Sequence, residues 1–133
     1  MLHSNGVKYL LIGGYAVNYY GYARSTGDMD IWVDRSPANA EKLAAALRAL
    51  GFASVTPALF TEADSVIRMG VPPLRLEILT SVSGLEFEEC YTRRQTVPIE
   101  DILIHVVCFD DLKTNKRAAG RAKDLADLEG LTD

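Results

Sequence analysis

This 133-residue chain has few cysteines, few histidines and no long apolar run. Its two cysteines, Cys90 and Cys108, stand apart without the spacing of a metal site, so we interpret them as small apolar residues in a reducing compartment. No stretch approaches the roughly 18 apolar residues of a membrane span, and no signal-peptide pattern precedes the first apolar strand. These absences predict a cytoplasmic protein that has no membrane segment.

An excess of positive charge is also missing, since the net charge is −4 and the pI is near 5.1. Long-range attraction to nucleic acid is therefore not expected, and RNA is not supported as a partner by net charge, although a local basic patch can still bind phosphate. Repeats and low-complexity segments are absent as well. A chain of this length with 48% hydrophobic residues predicts a single domain over residues 1–133.

The apolar periodicity predicts an α/β (α+β) domain with a small mixed sheet and helices mainly on one face. A helix is expected between Ser36 as its N-cap and Gly51 as its stop, with Pro37 in its first turn. His105 lies in an apolar strand, which favours a structural histidine over a base. The predicted strands are Val7–Ile12, Asp28–Val33, Ser65–Met69, Leu74–Leu79, Gln95–Ile99 and Leu103–Cys108; the other predicted helices are Ala16–Tyr22 and most of the chain after Cys108.

The first two strands frame the most informative stretch of the sequence. Gly13 and Gly14 follow the first strand and offer bare backbone that a phosphate can approach closely. The second strand opens with Asp28 and Asp30, which alternation places on one face at roughly 6.5–7 Å between Cα atoms. Trp32 follows on the same face, which we expect to be open; packing of its ring under a neighbouring loop is favoured over stacking on a nucleotide base or covering a partner surface. Two carboxylates beside a phosphate-accessible backbone suggest phosphoryl or nucleotidyl transfer.

The acid-x-acid spacing alone is weak evidence, because it occurs four times in this chain. Asp28 and Asp30 differ from the other pairs in being followed directly by apolar strand residues, where an unpaired carboxylate is costly. The alternative interpretation is a strand edge that carries two solvated acids.

Two separated motifs give the chain a family resemblance. The sequence Gly13-Gly14-Tyr15-Ala16, followed by Arg24-Ser25-Thr26-Gly27-Asp28-Met29-Asp30, resembles the signature of the DNA polymerase beta-like nucleotidyltransferase superfamily. It is most similar to small bacterial members, which include abortive-infection toxins and certain aminoglycoside nucleotidyltransferases. The segment from Asp111 to Leu128 also resembles the closing helices of those members. The resemblance implies a nucleotidyltransferase fold.

The resemblance implies a metal site of three carboxylates, in which Asp28, Asp30 and Glu77 hold Mg²⁺ or Mn²⁺. Alternation in Leu74–Leu79 places Glu77 on the face opposite the leucines, where a third acid is needed to share the catalytic ion. The superfamily more often has aspartate there, and glutamate reaches one methylene further. The alternative role of Glu77 is an ion pair with a neighbouring basic side chain.

The same resemblance implies that an NTP is the donor substrate. The expected nucleotide-binding residues are Gly13, Gly14, Arg24, Ser25, Thr26 and Lys116. The glycines would present main-chain N–H groups to the β- and γ-phosphates, helped by the N-terminus of the following helix. Lys113 and Lys123 are further candidates for phosphate contact. The alternative is a solvated helix face on which Asp124, Asp127 and Glu129 balance these cations, and a structural role is equally open for Arg24.

We therefore expect a metal-dependent nucleotidyltransferase that moves NMP from an NTP to a hydroxyl of a small molecule, a protein or RNA. The alternative is a catalytically silent nucleotide-binding or interaction module, such as a toxin–antitoxin component. The open face that carries Trp32 predicts a homodimer or a complex with a partner protein. Because superfamily members commonly have a helix before the first strand, the short segment of residues 1–6 predicts that the native chain starts further upstream.

Overall fold

A computed structural model of the chain describes residues 6–20, 28–71, 74–99 and 102–131. These residues form six strands and five α-helices, with a short 3-10 helix at Pro57–Phe60. The strands are β1 (Tyr9–Ile12), β2 (Asp28–Val33), β3 (Val66–Val71), β4 (Leu74–Leu79), β5 (Gln95–Ile99) and β6 (Ile102–Val106). The helices are α1 (Gly13–Tyr19), α2 (Pro37–Ala49), α3 (Phe87–Thr92), α4 (Phe109–Ala119) and α5 (Ala122–Gly130).

The strands form one mixed sheet in the order β3-β4-β2-β1-β6-β5. β2 is parallel to β4 and antiparallel to β1, and β1 is parallel to β6. The outer pairs, β3 with β4 and β5 with β6, are antiparallel. Pro98 lies in the edge strand β5, where the missing N–H of proline removes no ladder hydrogen bond from a central strand. The mixed α/β class that the periodicity predicted is confirmed.

Helix α2 begins and ends as the sequence predicted. The hydroxyl of Ser36 accepts a hydrogen bond from the backbone N–H of Asn39 at 3.3 Å, and Pro37 occupies the first turn. Gly51 follows the helix with φ +108°, a conformation that glycine adopts without a Cβ penalty. The apolar side of α2 packs with Ile31 and Val33 of β2, so this face of the sheet meets a helix as expected.

The opposite face of β2 is not open, and that expectation is wrong. Trp32 is only 1% exposed and packs edge-on against Phe87 of α3, with ring centroids 5.1 Å apart. Apolar residues of α1, α3 and α4 bury this face because the aromatic and aliphatic side chains of β1 and β2 need cover from water. Three of the five helices in the described residues, α1, α3 and α4, contribute to this core, and Leu131, the C-cap residue of α5, also belongs to it. The dimer or partner complex therefore stays a prediction without the open face on which it was based.

Other boundaries shifted by a few residues. Helix α1 begins at Gly13, three residues before the predicted start, and helix α3 falls in a segment for which no element was predicted. The structural interpretation of His105 agrees with its burial and with the 2.8 Å contact between its Nδ1 and the Thr96 hydroxyl. None of the helices in the described ranges combines the length and the apolar character that crossing a membrane requires.

Candidate functional site

Two of the predicted carboxylates face each other across neighbouring strands. Asp30 of β2 is the register partner of Glu77 of β4, and on its other side it is the partner of Ile12 of β1. Adjacent strands lie roughly 4.8 Å apart, so Asp30 and Glu77 are lateral neighbours on one face of the sheet. Asp28 belongs to β2 and pairs in register with Arg75, while its side chain lies outside the described part of the structure.

Gly13 lies so close to the Asp30 carboxylate that a Cβ at this position would force one of the two to shift. Its φ is +72°, and a Cβ built there would contact Asp30 Oδ2 and would lie 2.9 Å from the carboxyl carbon. Two independent constraints therefore select glycine at this position, the left-handed backbone and the carboxylate directly against it. The first glycine of the sequence motif and the second acid of the aspartate pair thus form one local unit.

Glu77 also has the ion pair that we gave as its alternative role. Its Oε1 lies 2.7 Å from Nε of Arg68, its register partner on the edge strand β3. The Arg68 side chain is 67% exposed, whereas that of Glu77 is 19% exposed. An exposed ion pair of this kind contributes little stability, and its arginine can move away at low cost. The pair is thus compatible with a second role for Glu77.

A cavity of about 390 Å³ opens beside Gly13 and Asp30. We call it the basic cavity because three of the side chains that line it are cationic, namely Lys116, Arg121 and Lys123. Asp30 is the carboxylate that lines it. The other lining residues are Ile12, Gly13, Leu79, Ser81, Val82, Ser83, Asn115 and Ala119. The arrangement offers a polar, cation-lined space directly next to a carboxylate.

Lys116 has two carboxylate partners in the interior. Its side chain is 5% exposed, and its ammonium lies 3.2 Å from Oδ1 of Asp124 and 3.0 Å from Oδ2 of Asp127, both buried. The cluster joins α4 to α5, so the solvated face that we gave as an alternative is not what surrounds Lys116. Lys116 lines the basic cavity while it holds the two closing helices together, and its contact with phosphate stays a prediction.

Arg121 connects this buried cluster to the acids of the sheet. Its Nε donates to Oδ2 of Asp124 at 2.7 Å, and this hydrogen bond, with added contributions from the charges of Asp30 and Glu77, raises the pKa of Arg121. Burial by itself would raise the pKa of Asp124, but the hydrogen bonds from Arg121 and Lys116 outweigh it and hold that pKa below its ordinary value. A guanidinium therefore stands close enough to both acids to feel their charge.

The remaining predicted nucleotide residues divide into those the structure describes and those it does not. Arg24, Ser25 and Thr26 lie outside the described residues. Gly14 is the second residue of α1, next to Gly13. Lys113 does not line the basic cavity, because its ammonium lies 4.5 Å from the centre of the Phe109 ring and 3.7 Å from the Asp110 carboxylate.

Sequence reasoning missed the loop that follows β4. Ser81 and Ser83 line the basic cavity, and Nδ2 of Asn115 in α4 donates to the carbonyl of Ser83 at 3.0 Å. The sequence did contain a signal for this loop. Strand β4 ends at Leu79, two residues after Glu77, and a run rich in small hydroxyl residues, Thr80-Ser81-Val82-Ser83, follows it directly. A loop that leaves the sheet there has to pass close to the carboxylates.

No group of three His, Cys, Asp or Glu side chains that could hold a metal comes together among the side chains that the structure describes, a set that includes Asp30 and Glu77 but not Asp28. The chain matches no protein-family model and no curated protein.

Proposed function

We propose that this protein is a metal-dependent nucleotidyltransferase that moves NMP from an NTP to a hydroxyl group. One observation carries the proposal. Gly13, which has no Cβ, lies against the carboxylate of Asp30, and both residues line the basic cavity. Asp30 is also the register partner of Glu77 on the neighbouring strand. The aspartate-and-glycine unit matches the motif by which the sequence resembles the polymerase beta-like superfamily. The two free cysteines of the chain agree with a cytoplasmic location.

The donor set fits a hard divalent cation. Asp30 and Glu77 supply carboxylate oxygens from neighbouring strands, and Asp28 precedes Asp30 by two residues on the same strand. Mg²⁺ prefers such oxygens and leaves further positions for triphosphate oxygens and water. When bound, the metal would neutralise charge on the α-phosphate and lower the pKa of an attacking hydroxyl. Adjacent carboxylates repel each other, so a cation between them is favourable.

The basic cavity suits the rest of the nucleotide. Its volume of about 390 Å³ falls in the range of small-molecule sites, roughly 300–1,000 Å³. Arg121 and Lys123 provide positive charge for phosphate, and the hydroxyls of Ser81 and Ser83 provide donors. The buried ion pairs of Lys116 fix the helices that present these groups. In this proposal the lack of a side chain at Gly13 allows the phosphates of the nucleotide to approach the carboxylates.

Isothermal titration calorimetry with the α,β-imido analogues of ATP, GTP, CTP and UTP tests the proposal. We expect at least one analogue to bind in Mg²⁺, and binding to weaken by about tenfold or more both in EDTA and in Asp30→Asn. Asp110→Asn is the matched control, because this aspartate is 90% exposed at the start of α4 and should leave affinity unchanged.

Two results would contradict the proposal in different ways. Nucleotide binding that is equal in Mg²⁺ and EDTA, and equal in Asp30→Asn, would favour the catalytically silent module. If none of the four analogues binds to a protein that still unfolds cooperatively, nucleotide binding itself, and with it the proposed function, would be wrong.

A further inference from the structure

The face of the sheet opposite to Asp30 and Glu77 is only partly covered by helix. Of the α-helices in the described residues, α2 alone contributes to the core on this face. A helix with its side chains is roughly 10–12 Å across, whereas six strands at a spacing of roughly 4.8 Å form a sheet about 24 Å wide. One helix therefore leaves apolar strand residues beside it without a helix over them.

A groove of about 360 Å³ lies in this part of the face. Four adjacent strands, β4, β2, β1 and β6, supply nine of its lining residues, and the C-terminal end of α2 supplies Leu47 and the C-cap residue Leu50. We call it the apolar groove, because every described side chain that lines it is aliphatic except those of Met29 and Tyr9.

The lining of the apolar groove selects a hydrocarbon. Tyr9 has the one polar side-chain atom among the described lining residues, and this buried hydroxyl already accepts a hydrogen bond from the backbone N–H of His105 at 3.1 Å. A charged ligand would lose hydration in the groove without gaining polar partners. An apolar ligand gains free energy from burial, and Leu50, Ile102 and Leu103, each about half exposed, leave the groove open to it.

The size and shape of the groove decide which apolar occupant it suits. A cavity of about 150 Å³ with a similar lining holds one benzene, and the apolar groove has more than twice that volume. Because it crosses four adjacent strands, it spans roughly 14 Å. A stable interface with a second copy needs roughly 20–30 residues a side, whereas eleven line the groove. An unbranched alkyl chain fits both its volume and its length.

We propose that the apolar groove binds the alkyl chain of a free single-chain amphiphile, such as a medium-chain fatty acid, and leaves the polar head in solvent. Met29 and Ile31, which line the groove, alternate with Asp30 along β2, so the groove and the candidate nucleotide site lie on opposite faces of the sheet. The inference therefore does not depend on the proposed function.

Two methionines allow binding to be measured by NMR. Met29 lines the groove, whereas Met69 lies in the core on the same face and is not among the lining residues. In protein labelled with [methyl-¹³C]methionine, we expect decanoate, below its micelle concentration, to shift the Met29 peak saturably and to leave the Met69 peak in place. Met29→Leu and Met69→Leu assign the peaks. Equal shifts of both peaks, or no shift of either, would overturn the proposal.

A ligand series separates the alkyl chain from its head. From heptanoate to octanoate and nonanoate, each added methylene should tighten binding about fourfold. Decyltrimethylammonium has a chain of similar length and the opposite charge, and it should bind as decanoate does. We expect 1-adamantanecarboxylate, whose carbons form a compact cage, to bind at least about tenfold more weakly. An affinity that follows the charge of the head and not the length of the chain would overturn the proposal.

A pair of variants localises the site. Ile102→Thr combined with Leu103→Thr removes two half-exposed aliphatic side chains from the groove and keeps residues that suit a strand. We expect decanoate to bind this variant at least about tenfold more weakly. Val66→Thr is the control, because Val66 is also half exposed but lies on the edge strand β3, away from the groove. An unchanged Met69 peak reports an intact fold, and equal weakening in both variants would overturn the site.

Other occupants of the groove would give different results. A Met29 peak that moves with protein concentration, without any ligand, would assign the groove to a second copy of the chain. A shift with phosphatidylcholine vesicles but not with decanoate would assign it to a membrane surface. Either result would overturn the alkyl-chain site, whereas a Met29 peak that is constant with concentration and moves only with the free amphiphile supports it.

Discussion

Replacing Gly13 with alanine tests the contact on which the candidate site depends. At φ +72° an alanine is strained, and its Cβ would collide with the Asp30 carboxylate, 2.9 Å from its carbon. The left-handed conformation costs about 1–2 kcal/mol in a non-glycine residue. Moving a packed side chain adds about 1–3 kcal/mol. We expect Gly13→Ala to lower the free energy of unfolding by about 2–5 kcal/mol.

Gly120→Ala is a matched control for the backbone strain. Gly120 has φ +65°, almost that of Gly13, and a Cβ there would meet only the carbonyl of Arg117 at 3.6 Å, an ordinary contact. This variant should therefore lose about 1–2 kcal/mol from strain and nothing from collision. The difference between the two variants, about 1–3 kcal/mol, isolates the contact between residue 13 and Asp30.

Urea denaturation measures the free energy of unfolding of both variants. Calorimetry with the imido-NTP analogues measures how far displacement of the Asp30 carboxylate weakens nucleotide binding. We expect Gly13→Ala to bind at least about tenfold more weakly, and Gly120→Ala to bind as the parent does. Equal losses of stability in the two variants, with nucleotide affinity unchanged in both, would refute the reasoning.

The remaining predictions concern the charged residues around the basic cavity. Lys116→Met should lower the free energy of unfolding by about 3–5 kcal/mol, because the buried carboxylates of Asp124 and Asp127 lose the ammonium that pairs with both, whereas Lys123→Met at an exposed position should change it by about 0.5 kcal/mol or less; urea denaturation compares them. Glu77→Gln should lower the free energy of unfolding by about 1 kcal/mol or less, because only the exposed ion pair with Arg68 is weakened, and it should abolish metal-dependent transfer. A large loss of stability with transfer intact would assign Glu77 a structural role. The pKa of Asp124 in the folded state lies below its ordinary value near 3.8, so the stability that this carboxylate contributes is complete above that pH and is lost as the pH falls through the folded-state pKa. The urea midpoint of Asp124→Asn should therefore decline less steeply from pH 6 to pH 2 than that of the parent.

Local signals predicted much of the fold. The cap at Ser36 and the alternation in Leu74–Leu79 are set by neighbours in sequence, so helix α2 and strand β4 were placed correctly. The start of α1 was misplaced, because a glycine at positive φ usually ends a helix and here Gly13 begins one. Helix α3 has six residues and too little periodicity to be seen.

The candidate site was harder to predict, because its contacts join distant segments. The pairing of Asp30 with Glu77 could be expected from alternation, since both lie on the polar face of their strands. The pairing of Lys116 with Asp124 and Asp127 could not, because it depends on how α4 folds back on α5. The expectation of an open face around Trp32 failed for the same reason: alternation gives the face of a strand, but not what covers that face.

Electron paramagnetic resonance of Mn²⁺, titrated in the presence of the NTP analogue that binds best, tests the central claim most directly. The account predicts that the parent binds Mn²⁺ and that Asp28→Asn, Asp30→Asn and Glu77→Gln each weaken it by at least about tenfold. The aspartate variants should melt, without metal, at the parental temperature or higher, because a repulsion between neighbouring acids is removed. Mn²⁺ binding equal to that of the parent in all three variants would contradict the claim that these carboxylates hold the metal.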